Sequence, residues 1–212
     1  MCRGEQARND ADGSLELACA KRGNRQRQFI EGFQVALVVL LRGINVGGHR
    51  AFRPSVVAKQ LKPLDVVSIG AAGTFVVRQP VTRAHLRREF ERRLPFEAHI
   101  VICTGREILD LMSRDFFAND PARPDIVRFV SVLTQAPRVK PPTPMSLPPS
   151  GEWLVRILAR ENRFLVGLYR RRMKVIGYLG SLDRVFGVPA TTRNWNTFAA
   201  IAKAVEEARS GR

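Results

Sequence analysis

Seven consecutive apolar residues, Val35-Ala36-Leu37-Val38-Val39-Leu40-Leu41, run directly into Arg42-Gly43-Ile44-Asn45-Val46-Gly47-Gly48. A strand with one wet face alternates apolar and polar side chains. This run is apolar at both parities, which predicts a central strand covered on both faces. It is far short of the roughly 20 residues that a membrane-spanning helix needs. The chain must therefore build a sheet with material packed on either side of it. The glycine-rich segment behind the run predicts a loop, and Pro54 fits the first turn of a helix reaching about Leu61.

Pro63 ends that helix, and strands follow over Leu64–Ile69 and Thr74–Val77, joined by Gly70-Ala71-Ala72-Gly73. Thr82 is placed to cap a helix whose apolar stripe is Leu86, Phe90 and Leu94. Ala98–Cys103 reads as a fourth strand. The order βαββαβ predicts an α+β fold with a ferredoxin-like first half over residues 33–104.

Thr104 and Glu107 have the spacing of a capping box, which opens a short helix through Met112. Asp120–Asp125 reads as a loop and Ile126–Leu133 as a fifth strand. The stretch 137–150 carries six prolines and predicts an extended connection. A hairpin is expected from Trp153–Leu158 and Phe164–Tyr169, then a short helix near Leu179–Phe186. A last helix from about Asn196 has Phe198, Ile201, Ala202 and Val205 on one face. Residues 105–212 thus form a second α+β half expected to pack against the first. Residues 1–32 are polar and without period, and read as a disordered tail or an extension from an early start codon.

The net charge is +16, with 29 arginines against 6 lysines. Such a charge points to an anionic partner: a phosphate compound, a nucleotide or a nucleic acid. A GC-rich coding bias produces the same arginine excess, so charge alone does not decide. Cys2, Cys19 and Cys103 make no disulfide framework, and the expected compartment is the cytoplasm. The N-terminal stretch has no apolar segment of the kind a secretory signal requires. His49, His85 and His99 have no metal-ligand spacing, so no metal or cofactor is expected.

Two segments stand out as candidate ligand-binding elements. In the first, Arg42, Gly43, Asn45, Gly47 and Gly48 leave a central strand and lead towards a helix, where a turn of backbone N–H groups can hold an anion. The segment is neither a P-loop nor a dinucleotide fingerprint. It also reads as a tight structural turn. In the second, Arg193, Asn194, Trp195 and Asn196 precede the last helix. Arg193 has the geometry to grip a carboxylate or phosphate, and an indole can stack on a ring. A helix cap formed by Asn194 or Asn196 and a core anchor formed by Trp195 also explain these residues.

Val39–Gly48 resembles the opening signature of the domain of unknown function 1697 family, and Gly187–Thr197 resembles its closing signature. The resemblance covers residues 35–208. It implies a bacterial cytosolic protein of two α+β halves, the first ferredoxin-like, and no established activity. The family's Ser-Gly-Asn turn is replaced here by Ala71-Ala72-Gly73-Thr74, and a Ser-Lys-Leu-like step is altered at Met173-Lys174-Val175, where the lysine remains.

The favoured function from sequence is binding of a phosphate-bearing or nucleotide-like small molecule. Nucleic-acid binding through basic loops is the alternative; the first strand lacks the aromatics that stack bases on an open sheet. An enzyme of unrecognised class is a third reading, although no nucleophile elbow, zinc helix or Cys-x-x-Cys pair occurs.

Overall fold

The structure, a computed structural model, describes residues 36–43, 53–120 and 123–210. The apolar run forms β1 (Leu37–Arg42), the interior strand predicted from its pattern. It is followed by α1 (Pro54–Gln60), β2 (Val66–Ile69), β3 (Thr74–Val77), α2 (Arg83–Arg93) and β4 (His99–Thr104). These four strands make one antiparallel-paired sheet in the order β2-β3-β1-β4. The two parities of β1 enter different cores. Leu37, Val39 and Leu41 pack with Phe75, Leu86 and Phe90, beneath α1 and α2. Val38 and Leu40 face the opposite way, into the core shared with the rest of the chain. Thr82 caps α2 through the His85 N–H, as its position predicts.

The capping box opens α3 (Gly105–Met112), with Thr104 and Glu107 each accepting the other's backbone N–H. The second sheet comprises β5 (Ile126–Leu133), β6 (Met145–Leu147), β7 (Val155–Glu161), β8 (Phe164–Arg170) and β9 (Ala190–Asn194). Its strand order is β6-β7-β8-β5-β9. The β7–β8 hairpin turns at Asn162, whose φ of 52° is the left-handed conformation that asparagine tolerates. Helix α4 (Val175–Phe186) begins four residues before the expected start at Leu179. It covers one face of the second sheet through Val175, Leu182 and Phe186, packed with Phe129, Ile157 and Leu165.

The opposite face of the second sheet, through Val130, Val132, Phe164 and Val166, meets α3 and α5 (Trp195–Ser210). Val38, Leu40, Val101 and Cys103 of the first sheet enter the same cluster. One core is therefore built from the inner faces of both sheets and the two helices they share. The described residues form a single compact unit by backbone contacts.

Two short strands differ from the sequence expectation. β6 lies inside the proline-rich connection, where only three residues, Met145 to Leu147, find a partner on β7. β9 occupies 190–194, a segment for which no strand is expected from the sequence. It is an edge strand with β5 as its partner, and its two threonines supply the β-branched character that such a strand favours.

Candidate functional site

The six candidate residues that the structure describes are not gathered in one place. Arg193 of the second sheet bonds the end of β1 at Leu41, just before Arg42 and Gly43, and so marks the junction of the two sheets. Asn194, Trp195 and Asn196 line a cavity beyond that junction. Asn45, Gly47 and Gly48 lie outside the described residues.

At the junction, the guanidinium of Arg193 has its five N–H groups matched by five acceptors. Nε donates to the Thr74 hydroxyl at 2.9 Å; one terminal nitrogen donates to the Thr191 hydroxyl at 3.0 Å and the Thr192 carbonyl at 2.8 Å. The other donates to the carbonyls of Leu41 at 2.7 Å and Ala72. This uses the full donor capacity of an arginine. Burial pushes its pKa down to about 10, which still leaves it charged at neutral pH. All five acceptors are neutral oxygens. Arg42, next to Leu41, pairs with Asp183 of α4, whose other oxygen accepts the Ala190 N–H. Gly43 turns the chain away from the strand at φ +80°, a conformation costly to any residue with a Cβ.

The cavity has a volume of about 570 Å³, within the range of small-molecule sites. Its lining includes Arg123, Arg128, Arg156, Arg170 and Arg171 against one carboxylate, Asp120, with Trp153 and Trp195 among them. The strand register explains the arrangement. Leu168 on β8 is paired with Arg128 of β5 on one side and Arg156 of β7 on the other. The three residues form a row across the sheet, with the two arginine backbones about 10 Å apart. Arg170 lies two residues along β8, on the same face as Leu168.

Each of these arginines is held differently. Arg128 stacks over Phe117 at 4.6 Å and donates to the Asp120 carbonyl at 2.6 Å. Arg170 stacks on Trp153 at 4.7 Å, donates to the Trp153 carbonyl at 3.1 Å and approaches Asp125 and Glu152. Arg156 also stacks on Trp153, at 4.6 Å, and has no carboxylate partner among the described residues. At the other side, Trp195 is braced by Phe117, with ring centroids 4.9 Å apart and planes nearly perpendicular. The carboxamide oxygen of Asn194 accepts from the Tyr169 hydroxyl at 3.2 Å. Burial, opposed by the charge of Arg171, holds that hydroxyl above its ordinary pKa.

The sequence expectations omit Trp153, Arg128, Arg156 and Arg170. A parity signal was present: Arg128 shares its side of β5 with Val130 and Val132, and Arg170 shares its side of β8 with Phe164, Val166 and Leu168. An arginine on an otherwise core-facing parity marks the point where a sheet face leaves the core and becomes the floor of a cleft.

Other chemistry is sparse. Burial raises the Cys103 thiol to about pKa 12, so it is an inert core residue rather than a nucleophile. Among the described residues no group of three His, Cys, Asp or Glu side chains could hold a metal ion, and no helix is long and apolar enough to cross a membrane.

No curated protein matches the chain. Among solved structures it is similar to the conserved bacterial protein SP0830 from Streptococcus pneumoniae, with a TM-score of 0.53 at 14% identity, over 81% of this chain and 98% of that one. At that identity the likeness concerns the fold. The family described as protein of unknown function (DUF1697) matches residues 35–146, from β1 through the start of β6. The chain, with the glycine-rich segment that follows β1 in its sequence, belongs to the DUF1697 family.

Proposed function

We propose that this protein binds a small phosphate-bearing or nucleotide-like ligand in the arginine-lined cavity. The observation that carries this is the row Arg156–Leu168–Arg128, with Arg170 beside it, on the floor of a concave site with aromatic walls. Guanidinium groups grip phosphate oxygens through paired hydrogen bonds, and their stacking on Trp153 and Phe117 fixes them before a ligand arrives. Arg42, Gly43 and Arg193 serve here as the frame that seats β9 and the start of α5. Both faces of the first sheet are packed into cores, which favours a cleft ligand over nucleic acid stacked on a sheet.

A thermal-shift series with inorganic phosphate, pyrophosphate, sugar phosphates and nucleotides tests this. At least one compound should raise the melting temperature, less so as salt is added, and Arg156→Ala should remove the shift. A flat series, with the variant indistinguishable from wild type throughout, rules the proposal out.

A further inference from the structure

The cavity is chemically different at its two sides, and the difference follows the strand order. From β7 across β8 and β5, the row of paired residues runs Arg156, Leu168, Arg128. Phe129 pairs with Asn194, so the next position in the row is residue 195, where β9 becomes α5. Three inter-strand steps separate Arg156 from Trp195, about 14 Å. The β7 side is cationic: Arg156 and Arg170 stand on the same Trp153 ring. The β9 side carries Trp195, Asn196, Asn119 and the Asp120 carboxylate, and the cation beside it, Arg128, is already held by the Phe117 ring and the Asp120 carbonyl. The side chains of Asn119, Asp120 and Asn196 have no protein partner among the described residues. Asn194, paired with Phe129, turns its amide to Tyr169 on the other face of the sheet and stands apart from them.

A ligand that is anionic throughout would use only the first side. One that is anionic at one end and flat, apolar-faced and polar-edged at the other would use both. We infer that the ligand is a mononucleotide laid along this row, with its phosphate on Arg156 and Arg170 and its base against Trp195, the base edge read by the Asn196 amide and by Asp120. This rests on the phosphate-binding proposal and extends it. A base edge offers both donors and acceptors, which amides and a carboxylate match and arginines alone do not.

The test is calorimetric titration of the full chain at low salt with tripolyphosphate, ribose 5-phosphate and the four ribonucleoside monophosphates. At least one nucleotide should bind tenfold or more tightly than ribose 5-phosphate. Asn196 is exposed at the start of α5, so Asn196→Ala keeps the fold. That variant should cut the nucleotide preference severalfold and leave ribose 5-phosphate unaffected, whereas Arg156→Ala should weaken every compound about equally. If ribose 5-phosphate or tripolyphosphate binds as tightly as all four nucleotides, or if Asn196→Ala weakens all compounds alike, base recognition is overturned and phosphate binding stands. If none of the compounds binds, both are overturned.

Discussion

Arg193 on β9 donates to the carbonyl of Leu41 at the end of β1, 152 residues earlier in the chain, and thereby ties the edge of one sheet to an interior strand of the other. The bond belongs to a set of five that also reaches Ala72 of the β2–β3 turn, Thr74 at the start of β3, and Thr191 and Thr192 of its own strand. Removing the side chain strands acceptors on three segments at once. Arg193→Ala should lower stability by about 2–4 kcal/mol, and Arg193→Lys should recover only part of it, because an ammonium has three donors and no fork. Urea unfolding midpoints of the three proteins measure this. A change under about 0.5 kcal/mol for Arg193→Ala would show that the contacts are not maintained in solution.

The cavity arginines should separate by function. Arg156 has a stacking contact and no ion pair among the described residues, so Arg156→Ala should cost less than about 1 kcal/mol of stability while weakening phosphate binding tenfold or more. Arg170 also holds the Trp153 carbonyl and two carboxylates, so Arg170→Ala should lose stability and binding together. Melting temperatures read beside titrations distinguish the two patterns.

Gly167 lies on β8 where a Cβ would come within 2.3 Å of the Arg156 carbonyl and 3.0 Å of the Phe129 ring. The first neighbour is backbone and cannot swing aside. Gly167→Ala should destabilise by about 1–3 kcal/mol and displace β7, which carries Arg156. Thermal melting checks the first effect, and phosphate affinity of the folded fraction checks the second.

Glu107 gives the protein an acid-sensitive point. Burial works against its charge, but the Thr104 N–H, the Arg163 guanidinium and the Thr104 hydroxyl outweigh it and hold the carboxyl below its ordinary value of 4.5. A carboxylate with a depressed folded-state pKa binds fewer protons folded than unfolded. Its stabilisation is complete above the unfolded value near 4.5 and is lost as pH falls through the folded value. Glu107→Gln keeps a capping side chain and loses the pairing with Arg163, so it should be less stable at pH 7 by roughly 1 kcal/mol. The gap should close below pH 4.5. Unfolding curves at pH 3, 5 and 7 decide it, and a gap that stays constant across them would contradict this account.

Much of the fold was legible because local patterns and tertiary structure agree. The two-sided apolar run became β1, Thr82 and Thr104 cap the helices they precede, and Asn162 turns the expected hairpin. β9 was hidden because Thr192, Arg193 and Asn194 are polar and only partly buried or exposed, which is what an edge strand permits and what a turn also permits. Arg193 could be singled out by neighbourhood, but its acceptors are mostly backbone carbonyls, and carbonyls leave no trace in a sequence. The cavity floor was harder still. Arg128, Arg156 and Arg170 are far apart in sequence, and only the register of β7, β8 and β5 places them on one surface.

The helix at residues 195–210 has a kinetic consequence. Phe198, Ile201 and Val205 cover apolar faces made by residues as distant as Val38 and Leu40, so neither sheet can hide its inner face until that helix has been synthesised and folded back. Contacts of such sequence separation slow folding, and the waiting faces are sticky in the meantime. During translation, then, the first sheet should dwell half-covered, a natural client for chaperones until the shared helix arrives.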